Sequence, residues 1–335
     1  MKPVTRREAL GLVGLCMGGV GGGGGGCASS RPAVTATTAQ PALVDLVPAA
    51  GLRMLVTLAP RVVLAIPEMA EAVERVVPRL SVFTARNTGI DLGSMEQVVL
   101  ATFSDVDLWL VQAVFSPARV ERVFAERAGR LEGRAVDAQS QVVRFWGTVR
   151  GVREQVAILR SEGSARWAME RGRFGVLRAV VAYAQGKLRR SPPALRTVPL
   201  EAVASRLGDG AFRVFAPGPF DAEWARGLGG MLAVATGAGL VVRPRVDGIR
   251  GVLDVDLVLT GAWTASRARV QVESAYEGLL AEPLGRLLGL SKPVAPWVVR
   301  AEDDWVRLGV ALDADVVARG IRAATGANVD EILSH

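Results

Sequence analysis

Histidine and cysteine are almost absent from this chain of 335 residues. Its single histidine is His335, and its two cysteines, Cys16 and Cys27, both lie in the first 27 residues. Ser-His-Asp and Cys-His nucleophilic systems, His-ligated zinc and iron–sulfur clusters therefore lose their central residues. An intramolecular disulfide is excluded from residues 28–335, so stability must come from an apolar core. We expect no catalytic centre, no metal and no cofactor.

Lysine is also scarce, since only Lys2, Lys187 and Lys292 occur and the remaining basic residues are arginines. The net charge is +7, and residues 119–190 carry an excess, with 16 basic and 7 acidic side chains. Arginine suits planar anions such as phosphate and carboxylate. The excess indicates either contact with anionic lipid headgroups or polymers, or arginines on ordinary solvated faces.

No apolar run in the body is long enough to cross a bilayer as a helix. The most apolar stretch, Met54 to Ile66, is short and is interrupted by Pro60 and Arg61. We therefore expect any membrane attachment to depend on a lipid.

The first 27 residues have the layout of a secretory signal. A basic start is followed by a short apolar run, Ala9 to Met17, and by a run of glycines. Thr5-Arg6-Arg7-Glu8-Ala9-Leu10 resembles the twin-arginine export motif, in which Arg6 and Arg7 would be the paired arginines. Leu10 matches the motif, while Ala9 replaces the usual Phe. The alternative is an ordinary basic start in which the arginines only supply charge.

Cys27 resembles the lipid acceptor of bacterial lipoproteins, because the small residue Gly26 precedes it. Gly24 departs from the Leu that is usual three residues earlier. The resemblance implies a diacylglyceryl group on the Cys27 sulfur and cleavage before Cys27. Ala28 stands where Asp would indicate retention in the inner membrane, which favours an outer-membrane lipoprotein facing the periplasm. The alternatives are a soluble periplasmic or a surface-exposed protein, and none of these locations favours nucleic acid as a partner.

Composition divides the chain into four parts. Residues 1–26 are the predicted signal peptide, and residues 27–41 are the lipidated cysteine with a small, polar, proline-containing tether. Residues 42–190 and 191–335 are two predicted α+β halves.

Similar patterns occur near both ends of the body. Gln97 to Ala101 and Asp107 to Phe115 predict a hairpin, which Ser116-Pro117 follows as a helix start. Trp297 to Ala301 and Val306 to Leu312 predict a second hairpin, and Asp313 takes the place of the Ser116 cap. A duplication or a chance recurrence explains this order equally well.

These patterns predict an α+β fold of antiparallel sheets with helices packed on one face, and two similar halves if the duplication is real. Met231 to Thr236 is predicted to be one of the strands. The alternation of Leu253, Val255 and Leu257 with polar residues predicts a strand with one solvated face.

Carboxylates are the remaining candidates for chemistry. Asp254 and Asp256 share a strand face, and Glu302, Asp303 and Asp304 cluster in a predicted turn. Such groups can bind calcium or serve as the acid and base of a glycosidase. The alternative is a solvated face and a polar hairpin tip, since no EF-hand spacing accompanies them.

The sequence therefore predicts an exported, lipid-anchored binding or interaction module without catalytic activity. Its expected partners are the membrane, through the lipid, and an envelope protein or anionic polymer. The alternatives are a carboxylate-dependent, glycosidase-like hydrolase and a periplasmic carrier of an apolar ligand.

Overall fold

Twelve strands and nine α-helices make up the part of the chain that the computed structural model describes. These residues are 41–76, 84–137, 139, 141–161, 164–187, 192–220, 228–247 and 250–326. The mixture confirms an α+β fold.

The elements before residue 190 are seven strands and five helices. The strands are β1 (Leu52–Leu58), β2 (Met95–Phe103), β3 (Val106–Ala113), β4 (Gly133–Asp137), β5 (Val142–Val149), β6 (Val152–Ser161) and β7 (Ser164–Gly172). The helices are α1 (Pro60–Leu64), α2 (Pro67–Val76), α3 (Ala85–Thr88), α4 (Pro117–Ala128) and α5 (Val176–Ala184).

The elements after residue 190 are five strands and four helices. The strands are β8 (Phe212–Pro217), β9 (Ala235–Asp247), β10 (Arg250–Gly261), β11 (Ala295–Ala301) and β12 (Trp305–Asp313). The helices are α6 (Val198–Leu207), α7 (Ala265–Ala281), α8 (Pro283–Leu287) and α9 (Ala314–Gly326). Short 3-10 turns lie at Leu43–Leu46, Leu92–Ser94, Ala194–Arg196 and Leu228–Ala233.

All twelve strands join one antiparallel sheet, in the order β11-β12-β10-β9-β8-β1-β2-β3-β7-β6-β5-β4. β1 and β8 meet in the middle, where Leu55 lies opposite Phe215 and Val56 lies opposite Val214. This pairing joins strands from before residue 190 to strands from after it. The division of the body at residues 190 and 191 stays a prediction.

Helices pack on both faces of the sheet, so the prediction that they lie on one face is wrong. Val56 and its neighbours form a core with α2, α7 and α9, and Leu55 forms another core with α5 and α6. Adjacent residues of a strand point to opposite faces. We call the face of the sheet that contains Val56 the Val56 face, and the opposite face, which contains Leu55, the Leu55 face. Since Leu55 and Val56 are both buried, the central strands need cover on both sides.

The predicted hairpins and helix starts are confirmed. β2 pairs with β3 and β11 pairs with β12. The Ser116 side chain accepts a hydrogen bond from the N–H of Arg119 at 3.4 Å, and Asp313 Oδ1 accepts one from Asp315 at 2.9 Å. The two caps satisfy N–H groups in the first turns of α4 and α9.

The strand predicted for Met231 to Thr236 is wrong in its first part. Leu228–Ala233 forms a 3-10 turn, and β9 begins only at Ala235. Met231 and Leu232 are both buried in the core that contains α7. Adjacent residues that are both buried fit a turn packed under a helix better than a strand of alternating pattern.

Phe215 tests the junction between β1 and β8. It is fully buried and packs in the core of the Leu55 face, so we expect Phe215→Ala to lower the free energy of unfolding by about 3–5 kcal/mol. Urea unfolding measures this loss. Val114→Ala is the control, because Val114 is 69% exposed and should change stability by less than about 0.5 kcal/mol. Equal losses in the two variants would contradict the central role of this contact.

Candidate functional site

Asp256 lies between two arginines of the neighbouring strands. Arg243 of β9 and Arg307 of β12 both donate to its Oδ2, and Arg307 Nε donates to its Oδ1 at 2.9 Å. The Asp256 side chain is 11% exposed and each arginine is 33% exposed. Gly309 lies opposite on β12, where a Cβ would approach Asp256 Oδ1 to 3.0 Å. Asp256 thus bridges three strands in a space with little room for another group.

The two arginines decide the ionisation of Asp256. Burial alone would raise its pKa, but the hydrogen bonds and charges of Arg307 and Arg243 outweigh burial and hold the pKa below its ordinary value. The side chain therefore stays a carboxylate at neutral pH, with both oxygens already bonded. This state is the opposite of the raised pKa that a general acid needs.

Asp254 lies on the same face of β10 and has its own arginine. Arg245 Nε donates to Asp254 Oδ2 at 2.9 Å, and Arg245 Nη1 donates to Asp247 at 3.2 Å. The Asp254 and Arg245 side chains are 39% and 42% exposed. The alternation in the sequence predicted the shared face, and the arginine partners come from neighbouring β9, beyond the reach of that pattern.

The acidic turn between β11 and β12 is also used in local contacts. Arg206 of α6 donates to Asp304 at 2.6 Å, and Asp303 accepts a hydrogen bond at 3.1 Å from the N–H of Ala265, where α7 begins. The backbone carbonyl of Glu302 accepts a hydrogen bond from the indole of Trp263 at 3.1 Å. Two of the three carboxylates thus hold helices against this turn.

Arginines dominate the Leu55 face on the β8-to-β11 side of the sheet. Strand register places six arginines and four aspartates there, an excess of two positive charges. They are Arg213, Arg243, Arg245, Arg250, Arg300, Arg307, Asp247, Asp254, Asp256 and Asp313. We call this set the arginine face. It was missed from sequence because its members alternate with apolar residues and come from five strands.

Arg300 is the least compensated member of the arginine face. It lies directly opposite Arg307 on the neighbouring strand, and like charges in that position repel. Arg300 is exposed, and it forms no ion pair with any residue that the structure describes. Asp256 balances Arg307 but leaves Arg300 with an unneutralised charge.

Two buried charged residues of β7 also escaped sequence reasoning. Glu170 Oε1 accepts hydrogen bonds from the N–H groups of Gly175 and Val176, at 2.7 and 2.6 Å, where α5 begins. Arg166 Nη2 donates to the Pro41 carbonyl at 2.7 Å. Burial raises the pKa of Glu170 and lowers the pKa of Arg166. The alternation of β7 is typical of a strand with one solvated face, so nothing in the sequence marks them as buried.

An apolar cleft lies where β9 begins and β10 ends. Its volume is about 710 Å³. The first turn of α6, the loop after β8 and the turn after β11 complete its walls. The residues that line it are Val198, Pro199, Ala202, Gly218, Pro219, Ala235, Thr236, Thr260, Gly261, Ala262 and Asp304. No local sequence pattern predicts this cleft, because five separate segments form its walls.

Several candidates fall outside these sites. Arg6, Arg7 and Cys27 lie outside the described residues. Within the described ranges, no three acidic, histidine or cysteine side chains are grouped so that they hold a metal ion. No helix in that part of the chain has both the length and the hydropathy needed to cross a membrane.

Comparison with known proteins gives one distant structural similarity. No protein-family profile and no curated protein matches the chain. The crystal form IV structure of TP0453 aligns with 84% of this chain and 96% of its own, at 9% sequence identity and a TM-score of 0.47.

Asp256 gives a pH-dependent prediction for stability. Because its pKa is lowered in the folded protein, its stabilising effect is complete above the unfolded pKa of about 3.9 and disappears as the pH falls through the folded pKa. We expect Asp256→Asn to lower the free energy of unfolding at pH 7 by about 1–3 kcal/mol. This difference should shrink below about pH 4.

Urea unfolding at a series of pH values makes the measurement. Asp254→Asn is the matched control, since its ion pair is two-fifths exposed and is worth less than about 1 kcal/mol. A pH-independent loss in Asp256→Asn would show that shape, and not charge, makes Asp256 important.

Proposed function

We propose that this protein is an exported, lipid-anchored binding module of the bacterial envelope that contacts an anionic partner through the arginine face. The single observation that carries the binding role is the excess of arginine over aspartate on that face. The basic start, the glycine run and Cys27 support export and lipidation. Ala28 supports an outer-membrane location facing the periplasm.

The electrostatics favour binding over catalysis. Asp256, Asp254 and Asp304 each have an arginine partner at hydrogen-bond distance. A glycosidase needs one carboxyl group with a raised pKa and a second carboxylate facing it. Asp256 has the opposite shift, which supports a structural role. The hydrolase is therefore the weaker of our alternatives.

The partner that fits the arginine face is a polymer with repeated negative charges. Arg300 presents an exposed guanidinium group, and guanidinium groups bind carboxylate or phosphate through paired N–H groups. The 16 basic residues of positions 119–190 fit less well. Some pair with nearby acids, as Arg119 does with Asp91 and Arg134 with Glu121. The arginines on the strands of this segment are divided between both faces of the sheet, as Arg166 and Arg171 of β7 are, so they do not form one continuous charged surface.

Carriage of an apolar ligand is the second candidate function. The cleft beside α6 favours it, since its volume falls within the range of about 300–1,000 Å³ that is usual for small-molecule sites. A lipid-anchored binding module can use both surfaces, because the cleft and the arginine face present different chemistry.

We also propose that the two halves arose by duplication. In each half three strands pair in order, β1-β2-β3 and β8-β9-β10, and a helix follows, α4 or α7. The last strand, β7 or β12, then returns to pair with the third strand, and α5 or α9 follows. In this alignment β11-β12 corresponds to β6-β7, and not to the β2-β3 hairpin that the sequence pattern suggested.

Lipidation is tested by Cys27→Ser in the native host. We expect this variant to lose incorporation of labelled palmitate, because the acceptor sulfur is gone. Mass spectrometry of the amino terminus checks the result. Cys16→Ser is the control and should keep the label. Label that persists in Cys27→Ser would contradict the proposed anchor.

The arginine face is tested by Arg300→Glu. We expect its affinity for poly-L-glutamate to fall at least about fivefold, since one charge near an anionic surface is worth about 1 kcal/mol. Titration calorimetry at low and high salt measures this, and binding should weaken as salt rises. The control is Arg178→Glu, an equal charge change at an exposed position of α5.

Two results would contradict the proposal. One is no binding of poly-L-glutamate by the unmodified protein at low salt. The other is an equal loss in Arg300→Glu and Arg178→Glu, which would mean that net charge, and not the arginine face, determines binding.

A further inference from the structure

We infer that the cleft beside α6 binds one uncharged, largely apolar small molecule. This inference rests on the second candidate function, carriage of an apolar ligand, and names the site and the class of ligand. Three properties of the cleft carry it: the hydrogen bonds of its polar side chains, the exposure of its apolar side chains and its volume.

Each polar side chain of the lining already has a partner. The Thr236 hydroxyl lies 3.2 Å from both the carbonyl and the hydroxyl oxygen of Thr260, and the Thr260 hydroxyl lies 3.4 Å from the Gly237 carbonyl. Asp304 is bonded to Arg206 at 2.6 Å. A ligand that brought a charge into this cleft would lose water without gaining a free partner, at a cost in affinity.

The apolar surface of the cleft reaches the solvent. Val198 is 83% exposed at the first position of α6, and Pro199 and Ala202 follow it along the wall. Val234, next to the lining residue Ala235, is 56% exposed. Exposed valines that border a concave apolar wall mark a binding surface more often than valines scattered over a convex one.

The volume and the composition of the walls decide the size class of the ligand. About 710 Å³ suits a ligand of drug size, and five separate segments line this open cleft. A site of this kind holds a compact aromatic or aliphatic molecule. Shape and apolar contact, not hydrogen bonds, would select it.

A matched pair of fluorescent probes tests the class of ligand. N-phenyl-1-naphthylamine is uncharged, and 1-anilinonaphthalene-8-sulfonate has the same ring system with an added sulfonate. We expect saturable binding of the first probe at one site per protein, and binding of the second at least tenfold weaker. The emission of each probe rises when it enters an apolar site, so a fluorescence titration measures both.

Variants at the wall locate the binding site. Ala202→Phe fills the cleft and should weaken N-phenyl-1-naphthylamine at least tenfold. Glu201→Phe is the control, because Glu201 is the neighbouring exposed residue of α6 and does not line the cleft. Val198→Glu is a second variant at an exposed position that folding tolerates, and it should also weaken the probe. Thermal unfolding of each variant confirms that it is folded.

Three outcomes would overturn the inference. These are no saturable binding of the uncharged probe, equal binding of the two probes, and unchanged affinity in both Ala202→Phe and Val198→Glu. Poly-L-glutamate binding, measured on the same variants, separates this inference from the proposal for the arginine face. Ala202→Phe should leave polymer binding unchanged, and Arg300→Glu should leave probe binding unchanged.

Discussion

The pairing of β1 with β8 is the constraint on which the rest of the structure depends. Four residue pairs, from Leu55–Phe215 to Leu58–Phe212, join two sets of strands into one sheet. Because the sheet is continuous across the β1–β8 pairing, the apolar residues on each face form cores that contain helices from before and after residue 190. α2, for example, packs in the same core as α7 and α9. Loss of the central pairing would expose both faces at once, which ties the stability of each half to that of the other.

Charge on the sheet follows from the same arrangement. On the β8-to-β11 side of the sheet, the part of the Leu55 face that α6 leaves uncovered meets water, so arginines and aspartates replace apolar residues there. Asp256 sits where its two oxygens reach Arg243 and Arg307, and it thereby fixes two guanidinium groups in place. The aspartates orient Arg243, Arg245 and Arg307 without cancelling the charge of the whole face, because the arginines outnumber the aspartates. A surface of this kind is pre-organised: the ordering of long side chains is completed during folding, so less conformational entropy is lost when an anion binds.

Local parts of this architecture could be predicted from sequence, and non-local parts could not. Ser116 with Pro117 and Asp313 mark helix starts because a cap acts within three residues. Hairpins follow from strand pattern and a short turn. One of the two neighbours of β1 is β8, more than 150 residues away, and no local pattern encodes that choice. For the same reason Arg166 and Glu170 read as solvated residues although they are buried. Arg166 bonds the carbonyl of Pro41, which lies 125 residues earlier in the chain, and Glu170 bonds the N–H groups at the start of α5, whose packing on this face is not visible in the pattern of β7.

The cleft and the arginine face border each other at β12. The boundary between them is formed by charged side chains that neutralise each other. Thr260, in the cleft wall, lies opposite Trp305, and Arg307 follows on the same face two residues later. Arg206 lies over the Trp305 ring at 5.7 Å and binds Asp304. The boundary therefore consists of a neutralised ion pair stacked on an aromatic ring. Positive charge ends there and an uncharged wall begins. An anionic polymer on one side and an apolar molecule on the other would each meet only the chemistry that suits it, so the two binding events need not compete.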